Sequence, residues 1–159
     1  MTEATADPAR QDLEDILRRL EHEKGVLVAA LAGADNAQFA DQGAEDESIK
    51  YSLERTADEV NFYYGRLAAR ALNLPQPPCM VRADFGSLRE GTMALQVAHR
   101  RFTNLLHDLL PADLEKSTND AQLGAFTLRQ VLEMAAAQYA MRAQQIQRLA
   151  SLAPGPLRE

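Results

Sequence analysis

The chain has 159 residues, 46% of them hydrophobic and 25% charged, with a formal net charge of −6 and no Trp. That length suits one domain, and such a chain buries about two-thirds of the surface its unfolded form exposes. An acidic balance without any sustained Lys/Arg cluster argues against nucleic-acid binding, whose affinity comes largely from phosphate neutralisation. The longest uninterrupted run of apolar or small residues, Val26 to Ala34, is about half of the roughly 20 needed to span a bilayer. Residues 1–10, MTEATADPAR, lack the basic n-region and apolar h-region of a secretory signal. The single cysteine, Cys79, has no internal partner and no CxxC context, which fits a reducing compartment and an incidental loop thiol. These features together give a cytoplasmic protein with no membrane segment.

Four periodic segments follow in chain order. The first helix is predicted at about 8–32, with Asp7 as N-cap and Pro8 at the first helical position, where its missing N–H costs nothing. Leu13, Ile16, Leu17, Leu20, Leu27 and Leu31 form its apolar stripe, and Gly33 ends it. The acidic stretch from Asp35 to Glu47 reads as a solvated loop without a strand. A second helix, about 48–72, starts at the cap Ser48 and carries Leu53, Ala57, Val60, Tyr64, Leu67 and Ala71 inward. Asn73 to Pro78, with Pro75, Pro77 and Pro78, cannot extend it. The third helix, about 87–110, shows Leu88, Leu95, Phe102 and Leu109 at heptad spacing and stops before Pro111. A loop from Ala112 to Phe126 leads to the cap Thr127 and a fourth helix, about 128–152, with Leu128, Val131, Leu132, Ala135, Tyr139, Ile146 and Leu149 on one face, ending near Leu152 and Pro154. Four amphipathic helices bury their stripes together as an all-α, up-down antiparallel bundle, a single domain over 1–159 with flexible ends.

The starts of the second and fourth helices repeat one pattern: Ser48-Ile49-Lys50 with Leu53-Glu54, and Thr127-Leu128-Arg129 with Leu132-Glu133. A cap followed by an amphipathic start is common enough for chance to produce such a match. Glu47-Ser48-Ile49-Lys50 and Leu53-Glu54-Arg55-Thr56-Ala57-Asp58 also resemble the opening of helix two in the DinB/YfiT superfamily, unrelated to the polymerase sharing the first name. There the pattern is a Trp-Ser-Val-Arg type sequence followed by Leu-Ala-His-Leu-Ala-Asp. Thr127-Leu128-Arg129-Gln130-Val131-Leu132 and Gln145-Ile146 resemble the two ends of that family's helix four. The similarity spans most of the chain in helix order and loop placement, with identities confined to these short motifs. It implies a DinB-like four-helix bundle and a homodimer.

In that family one histidine of helix two and two of helix four hold a divalent metal with open positions, able to activate a thiol or water. The resemblance places the three ligand positions at Arg55, Gln138 and Arg142. Arginine has no lone pair to offer and a Gln carbonyl is a poor ligand for metals that imidazole selects, so no metal and no cofactor is expected. A one-residue slip brings Thr56, Ala137, Tyr139, Met141 or Ala143, and no imidazole. His22 lies on the first helix, and about 80° of rotation separates His99 from His107 on the third, so all three read as solvated or rim histidines. Glu54, Asp58, Glu59 and Glu133 read as solvated carboxylates or partners of Lys50, Arg55 or Arg129 one turn away, with a replacement metal site as the alternative if they face inward.

Two guanidinium groups on one part of a bundle repel each other unless an anion lies between them. At the positions that the resemblance assigns them, Arg55, Gln138 and Arg142 would outline a metal-free polar pocket for a small anion or carboxylate, with Glu54, Asp58, Glu59 and Met134 as neighbours. Alternatively, one of the carboxylates neutralises the arginines internally, or their long stems carry the charges to solvent. No nucleophile elbow, Cys/His pairing or phosphate loop is present. Phe62, Tyr63 and Tyr64 should point in three directions around a helix, and Met80, Met93, Met134 and Met141 read as core filler. Two functions follow: a non-catalytic small-ligand-binding or assembly module, or a thiol-transferase or isomerase-like enzyme of the DinB/YfiT class, metal-dependent or not.

Overall fold

The computed structural model describes residues 7–40, 48–75 and 81–151; the readings placed on Cys79, Met80, Leu152 and Pro154 fall outside them. Helix α1 runs Pro8–Ala32, opened by Asp7, whose carboxylate accepts the Ala9 N–H at 3.1 Å. Leu13, Leu20, Leu27 and Leu31 are buried, and α1 packs chiefly on the last helix. The stretch read as a solvated loop contains a short helix, α2, at Asn36–Ala40. Asp35 and Gln38 form it by exchanging bonds: Gln38 N–H to Asp35 at 2.8 Å and Asp35 N–H to the Gln38 side chain at 3.0 Å. Phe39, 2% exposed, anchors this turn in the core.

The second predicted helix is one helical run in three parts: α3 (Ile49–Glu59), a π-turn (Val60–Tyr64) and α4 (Gly65–Ala71). Ser48 caps it through the Tyr51 N–H at 3.0 Å. In the π-turn the Gly65 N–H donates to the Val60 carbonyl, five residues back. A Cβ at Gly65 would sit 2.8 Å from that same oxygen, so glycine permits this approach. The run ends at Asn73, left-handed at φ 54°, with the Leu74 N–H returning to the Ala69 carbonyl.

Helix α5 (Leu88–Asn104), capped by Ser87, buries Leu95, Ala98 and Phe102. Its Gly91 lies against α3, where a Cβ would come within 2.5 Å of Leu53 Cδ2, so the glycine sets how closely α3 and α5 pack. The helix ends earlier than 110. Turns carry the chain to Leu110, whose extended backbone (φ −98°, ψ 153°) suits the residue before a proline. Pro111 then opens a 3-10 turn, Pro111–Glu115.

In place of the loop expected after it stands a hairpin of β1 (Ser117–Asp120) and β2 (Gly124–Thr127), antiparallel with Ser117 opposite Thr127 and Asp120 opposite Gly124. Asp120 ties the bend by accepting the Gln122 and Leu123 N–H groups at 2.7 and 2.9 Å, and Gly124 takes φ +92°. Helix α6 (Leu128–Ser151) starts with a reciprocal cap: Gln130 N–H to Thr127 Oγ1 at 3.2 Å, and Thr127 N–H to the Gln130 side chain at 2.9 Å.

The protein is thus mostly helical with one two-stranded sheet, and α1, α3, α5 and α6 contribute their stripes to a shared hydrophobic cluster. Arg129 of α6 pairs with Asp12 at 2.6 Å and Glu115 at 3.1 Å, joining α1 and the 3-10 turn to α6. Among the described residues no helix is long and apolar enough to cross a membrane. Met93 and Met141, read as core filler, are 57% and 48% exposed, because they stand on the outer faces of α5 and α6.

Candidate functional site

Between α3, the π-turn and α6 opens a cleft of about 880 Å³, within the usual range of small-molecule sites. Arg55 and Gln138 line it together with Glu54, Asp58, Glu59 and Met134, so six of the seven residues singled out from sequence share one cavity. Tyr51, Phe62, Tyr63, Tyr64, Arg82, Ala83 and Leu123 complete the lining.

Arg55 stands at the rim with 55% of its side chain exposed, donating through Nε to Glu59 Oε1 at 3.1 Å and through Nη1 to the Tyr51 hydroxyl at 3.0 Å. These bonds, that to Tyr51 first, push its pKa upward, so it is a fixed cation. Arg142, the seventh residue, is not part of the lining: it is buried behind Glu59, its side chain 8% exposed. Its Nη2 donates to the same Glu59 Oε1 at 3.3 Å and its Nη1 to Gln145 Oε1 at 3.1 Å. One carboxylate oxygen therefore lies between both guanidinium groups, which lessens the repulsion of two arginines in one region. The Gln138 side-chain amide, half-buried, has no hydrogen bond from the described residues and faces the cleft.

Glu54 and Asp58 do something else. The Glu54 carboxylate accepts Lys50 Nζ and the Phe85 N–H, both at 2.8 Å, and Asp58 accepts the Ala83 N–H at 2.9 Å. Four residues of helix advance about 6 Å and two residues of extended chain about 6.6 Å, so carboxylates at i and i+4 match alternate backbone N–H groups. Lys50 reinforces the contact through Asp84 and the Phe85 carbonyl, each at 2.9 Å. This fastening holds residues 82 and 83 as one wall of the cleft. Glu133, by contrast, is exposed, and Arg129 pairs with Asp12 and Glu115 instead.

Phe62, Tyr63 and Tyr64, expected to diverge, all contribute to the cleft. The π-turn has one residue more per hydrogen-bonded turn than an α-helix, so consecutive side chains still differ by about 80° in direction. Tyr64 reaches the cleft from the buried core, and Phe62 and Tyr63 from partly exposed positions. Tyr63 meets Tyr64 edge-on at 5.1 Å, and the Arg82 guanidinium sits 4.5 Å from the Phe62 ring centre. Burial, followed by the nearby Glu59 carboxylate, pushes the Tyr64 hydroxyl up to about 12, so it is a neutral hydrogen-bonding group in the site.

The histidines require one correction. His22 and His107 are exposed, but His99 is 4% exposed in the core. It follows Leu95 by four residues and so shares that buried face of α5. Its Nε2 lies 2.7 Å from Glu21 Oε1 and its Nδ1 2.9 Å from the Tyr139 hydroxyl. An ionised carboxylate only accepts, so the neutral ring carries its proton on Nε2 and accepts the Tyr139 O–H at Nδ1. Burial lowers the His99 pKa, against the opposing pull of Glu21, and burial raises that of Tyr139.

Among the described residues no three His, Cys, Asp or Glu side chains gather as a metal set. The donor types at Arg55, Gln138 and Arg142 do not fit a divalent transition metal. The chain matches no protein-family model, no curated protein and no solved structure.

Proposed function

We propose that the chain is a DinB/YfiT-like four-helix bundle, cytoplasmic and homodimeric, that works as a non-catalytic binding module for a small anionic or carboxylate ligand. The observation that carries this reading is the coupling of Arg55 to Arg142 through a single Glu59 oxygen, at the rim of a cleft that Gln138 also lines. Two fixed cations against one carboxylate leave room for one further negative charge. The Gln138 amide supplies a neutral donor and acceptor beside it.

A thermal-shift series with acetate, benzoate and phosphate tests the reading. A ligand at a hundredfold excess over its Kd stabilises by about 2.7 kcal/mol. At this chain length that shifts Tm by roughly 5–10 °C. Wild type should show such a shift with at least one carboxylate, and Arg55→Ala should lose it. Equal shifts in the two proteins would remove the cleft from consideration, and stoichiometric Zn, Ni, Mn or Fe in the purified protein would overturn the metal-free reading.

A further inference from the structure

We infer that the ligand of this cleft is a monocarboxylate with a flat apolar body, and that the Glu59 carboxylate holds the head-group position on Arg55 until the ligand displaces it. The inference rests on the reading of the cleft as a carboxylate site. Glu59 Oε1 accepts from Arg55 at 3.1 Å and Arg142 at 3.3 Å, while Glu59 Oε2 and Arg142 Nε are both buried without a partner. The Glu59–Arg142 pair is thus incompletely bonded, and a donor and an acceptor in it are free to meet each other.

The two arginines hold Glu59 unequally. Arg142 is 8% exposed and Arg55 55% exposed. The Arg55 contact is an i,i+4 pair on a half-exposed arginine, of a type that contributes little, so an incoming carboxylate can take it over. That carboxylate gains the Nε and Nη2 fork of Arg55 in bidentate form, while Glu59 remains with Arg142 and turns toward its unpartnered Nε. Each arginine then has its own carboxylate.

The body of the ligand is selected by the rest of the wall. Met134, the 67% exposed Leu123 and Phe62, whose ring has the Arg82 guanidinium 4.5 Å from its centre, line the same cleft as Arg55. The lining carries the carboxylates Glu54, Asp58 and Glu59 against the guanidinium groups of Arg55 and Arg82, so a monoanion is favoured over the more highly charged phosphate.

Isothermal titration with phenylacetate, acetate and inorganic phosphate decides the matter. Phenylacetate should bind the wild type, with acetate and phosphate weaker by about tenfold or more, and Glu59→Gln should bind phenylacetate about tenfold tighter because the internal competitor is gone. Leu123→Ser should weaken phenylacetate while leaving acetate unchanged. Equal or weaker phenylacetate binding by Glu59→Gln, or phosphate matching phenylacetate, overturns the inference. Binding of no probe by any variant, wild type included, instead overturns the reading of the cleft on which it rests. Should Glu59→Gln fail to fold, side-chain Nε NMR of the wild type reads the same exchange. Phenylacetate should shift the Arg55 and Arg142 resonances together, and saturation without either shift counts against displacement.

Discussion

Glu59→Ala should lower folding stability by about 3 kcal/mol, the low end of the range for removing one member of a buried ion pair. The cost arises at Arg142, which is 7% exposed and has Glu59 as its one carboxylate partner among the described residues. After the substitution its remaining bond is to the neutral Gln145, and a buried cation without a counter-charge is far more expensive than the pair itself. The low end applies because Glu59 keeps 22% exposure and water can enter in its place. Arg142→Met in the Glu59→Ala background removes the stranded charge and should restore stability to within about 1 kcal/mol of wild type. Urea denaturation of the two single variants and the double variant measures this. A loss below about 1 kcal/mol for Glu59→Ala would mean that Arg142 is solvated by other means.

The second large effect is acid sensitivity through His99. Its pKa lies below 6.5 in the folded protein because burial disfavours the imidazolium, with Lys24 adding to this and Glu21 opposing it. The unfolded chain therefore binds the proton first, and stability falls as pH drops below about 6.5 toward the folded pKa. Above that window the contribution is complete. Groups such as Asp12, Asp84, Asp113 and Asp120 have lowered pKa values and act in a separate window, losing their contribution as pH falls below about 4. His99→Leu should abolish the slope between about pH 6.5 and 5. At pH 8 it should cost about 1–3 kcal/mol, because the buried Tyr139 hydroxyl loses its acceptor. Stability measured by urea at intervals from pH 8 to 5 checks both parts, and an unchanged slope in His99→Leu would assign the acid sensitivity elsewhere.

The helical segments were legible from an apolar period in each, joined in the first, second and fourth by a cap. Asp7, Ser48 and Thr127 cap as read, and most stripe residues are buried as read, with Ile16, Leu17, Leu88 and Leu149 only partly buried. The deviations have no period to announce them. A five-residue helix such as α2 is too short to show one, although Asp35 and Gln38 have capping-box spacing. The hairpin was marked by Gly124 after the short bend Ala121-Gln122-Leu123, a turn signal inside what read as loop. The π-turn depends on a backbone approach at Gly65 that no side-chain pattern encodes.

The site divides in the same way. Arg55 and Gln138 were placed together only by correspondence with the metal positions of the resembling family, which put Arg142 beside them although it lies outside the lining; Glu59 entered as a possible neighbour. Arg82, Ala83 and Leu123 were missed, since they reach the cleft from segments whose positions depend on tertiary contacts. His99 was read as a rim residue by residue type, yet its spacing from Leu95 already put it on the buried face.

A crystal structure of the protein soaked with phenylacetate tests the binding of a carboxylate in place of a metal most directly. Density for the carboxylate within hydrogen-bond distance of the Arg55 guanidinium, with the ring against Phe62 and Met134 and Glu59 turned to Arg142, is the predicted result. A cleft holding a metal ion on Glu54, Asp58 or Glu59, or phenylacetate bound only away from Arg55, would contradict it.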